Sequence, residues 1–181
     1  MSTYQFWRPS LLAALIGFSV IGFCSLFLRS STADPIRQAG ILADLTFPSP
    51  TIEPEDVVRI QVEAMRAESQ GLGALQCYCF AAPSNRVVTG PVDRFAQLIR
   101  NPPYDSIGES ETYSIGGAEI DGDISRTTVV VVGKDQRVRV FSWVLRKQVA
   151  APYESCWMTA GVFVLHDAPA VPDRQPRGAE V

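Results

Sequence analysis

Histidine is almost missing from this chain of 181 residues: His166 is the only one. A catalytic triad built on imidazole, or a histidine-rich metal site, has nothing else to draw on. Charge is scarce too. Charged residues make up 19%, against about 25% in an average soluble domain. The balance is acidic, with a net charge of −3 and a pI near 5.2, which argues against a phosphate-backbone binder, so no nucleic-acid partner is expected. Thirteen Gly and thirteen Pro are close to average usage and exclude a collagen-like or low-complexity chain. No internal repeat is present.

Cysteine is equally sparse. Of the four, Cys24 lies in an apolar run, which leaves an odd number, Cys77, Cys79 and Cys156. A full disulfide framework is excluded, while one bond to Cys156 stays open if the domain faces an oxidising compartment. Cys77-Tyr78-Cys79 suggests a metal or redox pair. On a helix, however, residues two apart point about 200° apart, so these thiols neither chelate one ion nor pair. They read as small buried hydrophobes. Glu119, Asp121 and Asp123 surround Gly122, yet the twelfth position counted from Glu119 is Val130, which a calcium loop does not allow. An acidic hairpin turn explains them. Gly71-Leu72-Gly73 lacks the third glycine and the Lys-Ser/Thr of a phosphate loop and reads as a helix end. No cofactor and no metal are expected.

An apolar run from Leu11 to Leu28 contains no charge. At 1.5 Å per residue it spans roughly 27 Å, just short of a ~30 Å hydrocarbon core. Its eleven Leu, Ile, Phe and Val residues favour insertion by about 3 to 7 kcal/mol on the biological scale. Tyr4, Phe6 and Trp7 suit the interface before it. A single-pass anchor over residues 11–28 fits the length. A cleavable signal followed by export is the alternative, with Arg8 as its basic start and Ser31-Thr32-Ala33 as the cleavage site. Arg8 lies before the run and Arg29 and Arg37 after it, so orientation stays open. Removing residues 1–33 leaves 14 basic and 19 acidic residues, a net charge of −5.

Domain organisation follows from punctuation. Residues 1–33 form the anchor or signal. Residues 34–50, broken by Pro35, Pro48 and Pro50, form a linker from which Ile41, Leu42, Leu45 and Phe47 could dock on the domain. Residues 51–166 form the domain, and 167–181 a Pro-rich flexible tail. A first helix is predicted over 53–69, opened by Pro54 and acidic residues, with Val57, Ile60, Ala64 and Met65 as its apolar stripe. A short second helix over 73–81 is stopped by Ala82-Pro83. A third, over 91–100, has Val92, Phe95, Leu98 and Ile99 inside. The period then changes. Strands are predicted over 112–120, weakened by Gly116-Gly117, and over 126–132, 138–147 and 155–165. Helices followed by antiparallel strands make an α+β fold. The last two strands are apolar on both alternations, so the sheet face away from the helices also needs cover.

Several local words resemble an uncharacterised family, a domain of unknown function found in bacteria and photosynthetic lineages. They are Glu55-Asp-Val-Val-Arg-Ile-Gln61, the stretch from Phe80 through Pro83 and Gly90 to Phe95, Phe141-Ser-Trp-Val-Leu-Arg-Lys-Gln148 and Cys156-Trp-Met-Thr159. The resemblance covers about residues 51–165. It implies a fold similar to nuclear transport factor 2: helices packed on a curved four-stranded antiparallel sheet that makes a cone, here preceded by one hydrophobic N-terminal helix. It brings no catalytic residues.

Pocket candidates follow from the cone. Trp143 and Trp157 on neighbouring strands would line an apolar pocket. Arg94 on the third helix would be a buried charge if it faced inward. Gln148 and Tyr153 could supply polar groups at the rim. The expected function is non-catalytic binding of a protein partner or a small apolar ligand by a membrane-associated domain. A homodimer through the sheet face is one form of that partnership. The alternative is a small isomerase or lyase with a carboxylate base of raised pKa, an analogy of fold alone.

Overall fold

A computed structural model describes residues 44–67 and 72–169. The apolar run at 11–28 and residues 170–181 lie outside the described residues. Among the described residues, no helix is long and apolar enough to cross a membrane.

Helix α1 spans Pro54–Arg66. Pro54 opens it, where the missing N–H costs nothing, and Glu55 and Asp56 meet its positive end. Its inner face buries Val57, Val58, Val62 and Met65, with Gln61 among them. Helix α2, Leu72–Cys79, follows. The expected stop at Ala82-Pro83 is also a start. Pro83 opens a further helix, α3 (Pro83–Thr89), whose first bond runs from the Arg86 N–H to the Ala82 carbonyl at 3.0 Å. Gly90, at φ +83°, reverses the chain where a side chain would be strained. Helix α4 (Val92–Ile99) then buries Phe95 and Ile99. A one-turn helix that the pattern did not announce, α5 (Asp105–Gly108), buries Ile107.

Among the described residues the sheet has five strands, not four. The expected strand over 112–120 is two: β1 (Ser110–Ile115) and β2 (Glu119–Asp121). Gly116 and Gly117 break it, and the carboxylate of Glu55 accepts the Ala118 N–H there at 2.8 Å. Both pieces pair antiparallel with β3 (Ile124–Gly133), which pairs with β4 (Arg137–Lys147), which pairs with β5 (Trp157–Pro169). The order is β1-β3-β4-β5, with β2 on β3 beside β1. Strand β5 reaches beyond 165 because the first residues of β4 need a partner: His166 lies opposite Val140 and Asp167 opposite Arg139. Residues 167–169 therefore belong to the sheet, not to the tail.

Alternation sorts the sheet into two faces. Ser125, Thr127, Val129 and Val131 of β3 and Phe141, Trp143 and Leu145 of β4 are buried under the helices. The opposite face carries Val138, Val140 and Val144, half-buried. At one end that face is covered from within the chain, where Met158 packs with Ala82, Cys156 and Tyr153. At the other, Phe163 and Leu165 are 56% and 62% exposed. The described part of the linker, residues 44–50, docks through the Thr46 backbone. The Thr46 N–H donates to Gln76 Oε1 at 2.8 Å and Gln76 Nε2 to the Thr46 carbonyl at 2.7 Å, while Phe47 is exposed.

Two tests follow. The Ser125 and Thr127 hydroxyls are buried on the inner face with no hydrogen-bond partner among the described residues. A buried hydroxyl without a partner costs free energy that an apolar isostere does not. Thr127→Val should therefore leave stability unchanged or raise it by about 1 kcal/mol in denaturant unfolding. A loss above that size would show the hydroxyl to be paired. The second test concerns the β3–β4 turn. Arg139 donates to Asp135 Oδ2 at 2.7 Å, and the Arg137 N–H donates to Asp135 Oδ1 at 3.1 Å. Chiefly the Arg139 bond holds the Asp135 carboxyl below the usual aspartate range. A lowered carboxylate pKa stabilises the fold above the unfolded-state value, and that contribution is lost as pH falls through the folded-state value. NMR titration should place Asp135 below ~3.9, and Arg139→Gln should bring it back up.

Candidate functional site

A cavity of about 500 Å³ lies between the helices and β5. Gln61 and Met65 of α1 and Cys77 of α2 form its inner end, with Trp143 from β4. Asn85, Val88 and Thr89 of α3 form one side, and Phe95, Leu98 and Ile99 of α4 another. The edge of β5 from Thr159 to Phe163 closes the third. The volume falls within the ~300–1,000 Å³ of small-molecule sites.

The cavity exists because β5 changes phase. Val144 pairs with Gly161, but the next residue, Leu145, pairs with Thr159, which leaves Ala160 without an opposite number. This is a β-bulge, and it turns the neighbouring side chains and bends the strand. Trp143 therefore faces Val162, and Thr159 faces inward beside Leu145. Small residues follow at the edge. The ring of Phe163 lies over Gly161, where an added Cβ would come within 2.9 Å of the ring.

A buried polar node sits at the inner end. The Thr159 hydroxyl donates to Gln61 Oε1 at 3.1 Å and accepts from Gln61 Nε2 at 2.8 Å and from Trp143 Nε1 at 3.3 Å. Gln61 Nε2 also donates to the Val57 carbonyl at 3.1 Å. The Thr159 backbone is equally engaged. Its N–H donates to Phe80, and its carbonyl accepts from Ala82 N–H and from Asn85 Nδ2. Tyr104 donates its hydroxyl to the Val162 carbonyl at 3.1 Å, which holds the β5 edge further along.

The four pocket candidates separate in space. Trp143, 2% exposed, is part of the cavity wall. Trp157 lies opposite Lys147 near the start of β5, with the Lys147 ammonium 5.6 Å from its ring centre, and is not among the lining residues. Gln148 anchors the loop after β4: its N–H bonds to Cys156, and its side chain turns back to the Arg146 carbonyl. Arg94 is exposed on α4, its stem against Gly90. Tyr153 meets Arg86 instead. The Arg86 guanidinium lies between the rings of Tyr78 and Tyr153, 5.0 and 5.5 Å from their centres, and donates to the Cys79 carbonyl at 2.9 Å.

The residues that reasoning along the chain missed are Gln61, Asn85, Tyr104 and Thr159. Gln61 left a signal, since it stands four residues from both Val57 and Met65 inside an apolar stripe. Thr159 left none, because only the bulge turns it inward.

Among the described residues lining the cavity there is no Asp, Glu, His, Lys or Arg. Cys77, Cys79 and Cys156 are not in disulfides. Burial pushes the Cys79 thiol up, against the pull of Arg86, and burial also raises Cys156. Neither is poised as a thiolate. No cluster of metal-ligating side chains occurs among the described residues.

Thr159→Val keeps the shape of the node and removes its hydroxyl, which strands Trp143 Nε1 and the Gln61 amide. Unfolding free energy should drop by about 1–3 kcal/mol, the opposite sign from Thr127→Val. An unchanged midpoint would mean that these groups find other partners.

Comparison of the chain with protein-family models, curated proteins and solved structures finds no match.

Proposed function

We propose that this domain binds a small apolar molecule in the cavity beside β5 without chemically altering it, and that residues 11–28 hold it at a membrane. One observation carries the binding reading: a cavity of about 500 Å³ that Trp143 and Phe95 line but do not fill. A cone packed solid by aromatic rings would leave nothing to bind. The carboxylate-base alternative has, among the described lining residues, no carboxylate to act as the base. Helices on one face of an antiparallel sheet, with a cavity at their junction, support the nuclear transport factor 2-like cone. Membrane attachment rests on the uncharged run alone, with export after cleavage as its alternative.

A second reading, a protein partner or homodimer through the sheet face, is favoured by the exposure of Phe163 and Leu165.

Native mass spectrometry of the full chain, gently extracted from membranes, tests these readings together. A non-covalent small-molecule adduct is expected, lost when Leu98→Trp blocks the mouth of the cavity. An adduct that survives the block would place the ligand elsewhere. A protein always free of adduct would overturn the binding reading, and a dimer mass would support the sheet-face contact. The mature mass reports whether residues 1–33 remain.

A further inference from the structure

The cavity's hydrogen-bonding groups are unevenly spent, and this restricts what it accepts. At the inner end every donor is used. Gln61 Nε2 bonds to Val57 and Thr159, Trp143 Nε1 bonds to Thr159, and the Cys77 thiol donates to the Gln61 carbonyl at 3.4 Å. The Thr159 hydroxyl has one hydrogen and two lone pairs, and all three are engaged. A ligand acceptor pushed to this end would lose its water and find no donor.

The α3 side differs. Asn85 gives one N–H to the Thr159 carbonyl, and its second N–H and its Oδ1 have no partner among the described residues. The Ser84 hydroxyl, in the exposed first turn of α3, has none either. Thr89 has spent its hydrogen on the Asn85 carbonyl. Side-chain donors that remain for a ligand are thus confined to Ser84 and Asn85.

Charge is excluded on separate grounds. No described lining residue carries one, so an ionic ligand would be desolvated without a counter-charge. Arg66, Arg100, Asp105 and Glu109 line a second cleft of about 320 Å³. Met65 and Ile99 line both cavities and form the apolar partition between them.

We infer that the cavity selects uncharged ligands with an apolar body and a single polar end, the body against Trp143, Phe95 and Met65 and the polar end at Ser84 and Asn85. This inference rests on the binding reading above and specifies its ligand class.

Two fluorescent probes share an aromatic body and differ by one sulfonate: neutral N-phenyl-1-naphthylamine and anionic 8-anilino-1-naphthalenesulfonate. Cavity binding is the enhancement seen with the full-length protein and lost in Leu98→Trp. The neutral probe should bind at least tenfold more tightly than the anion. Equal binding of both in the cavity would overturn the neutral-ligand inference and leave the binding reading standing. Binding of neither would overturn the reading itself. The polar end is tested by displacing the neutral probe with 2-naphthol or naphthalene. The hydroxyl should improve competition about three- to tenfold, the worth of one hydrogen bond, and Ser84→Ala together with Asn85→Ala should erase that advantage. An advantage unchanged in that double variant would overturn the placement of the polar end.

Discussion

The structure turns on Thr159. Its backbone joins the edge of the sheet to the segment between α2 and α3 through two bonds, to Phe80 and Ala82, and to α3 through a third, from the Asn85 side chain. Its hydroxyl joins α1 to β4 through Gln61 and Trp143. A buried polar group is tolerable only when paired, and a pair so enclosed works at low dielectric. One small side chain therefore sets where the helices sit against the sheet. The bulge at Ala160 makes this contact available, because an unbroken register would place residue 160, not 159, opposite Leu145.

The cavity is a consequence of the same local event. The chain covers the β5 edge at Thr159 and again, through Tyr104, at Val162. Around that covered edge, α3 presents a largely exposed face with no buried residue of its own. Because α3 fully buries none of its residues, it borders the space beside it without filling it. Ala160 and Gly161 add little volume from the strand. Close packing, which a core ordinarily reaches, stops short here and leaves room of molecular size.

The second half of the helical layer is held by a different device. Arg86 lies between two tyrosine rings and caps the Cys79 carbonyl at the negative end of α2. Arg66 does the equivalent for α1 and the sheet: it donates to the Ser110 carbonyl and hydroxyl while its guanidinium lies 4.7 Å from the Tyr113 ring centre. Both arginines serve the fold from outside the cavity, which stays uncharged along its described lining.

Much of the fold was legible in the sequence because it rests on local chemistry. Prolines and acidic residues mark where α1 and α4 begin, period 3.6 marks their buried faces, and period 2 marks β3 and β4. The site was legible in Trp143 alone. Ala82-Pro83 carries the same local signal whether a helix ends there or starts, and only the bond from Ala82 to the Thr159 carbonyl orients the segment for a new helix. Trp157, Gln148 and Arg94 have suitable chemistry but were separated from the cavity by the register of β5 and the packing of α4. What the sequence by itself determined is the order and type of the longer elements, which depend on residues a few positions apart. The tertiary structure decided which residues meet in the cavity, because a one-residue bulge redirects a whole strand and no local pattern records it.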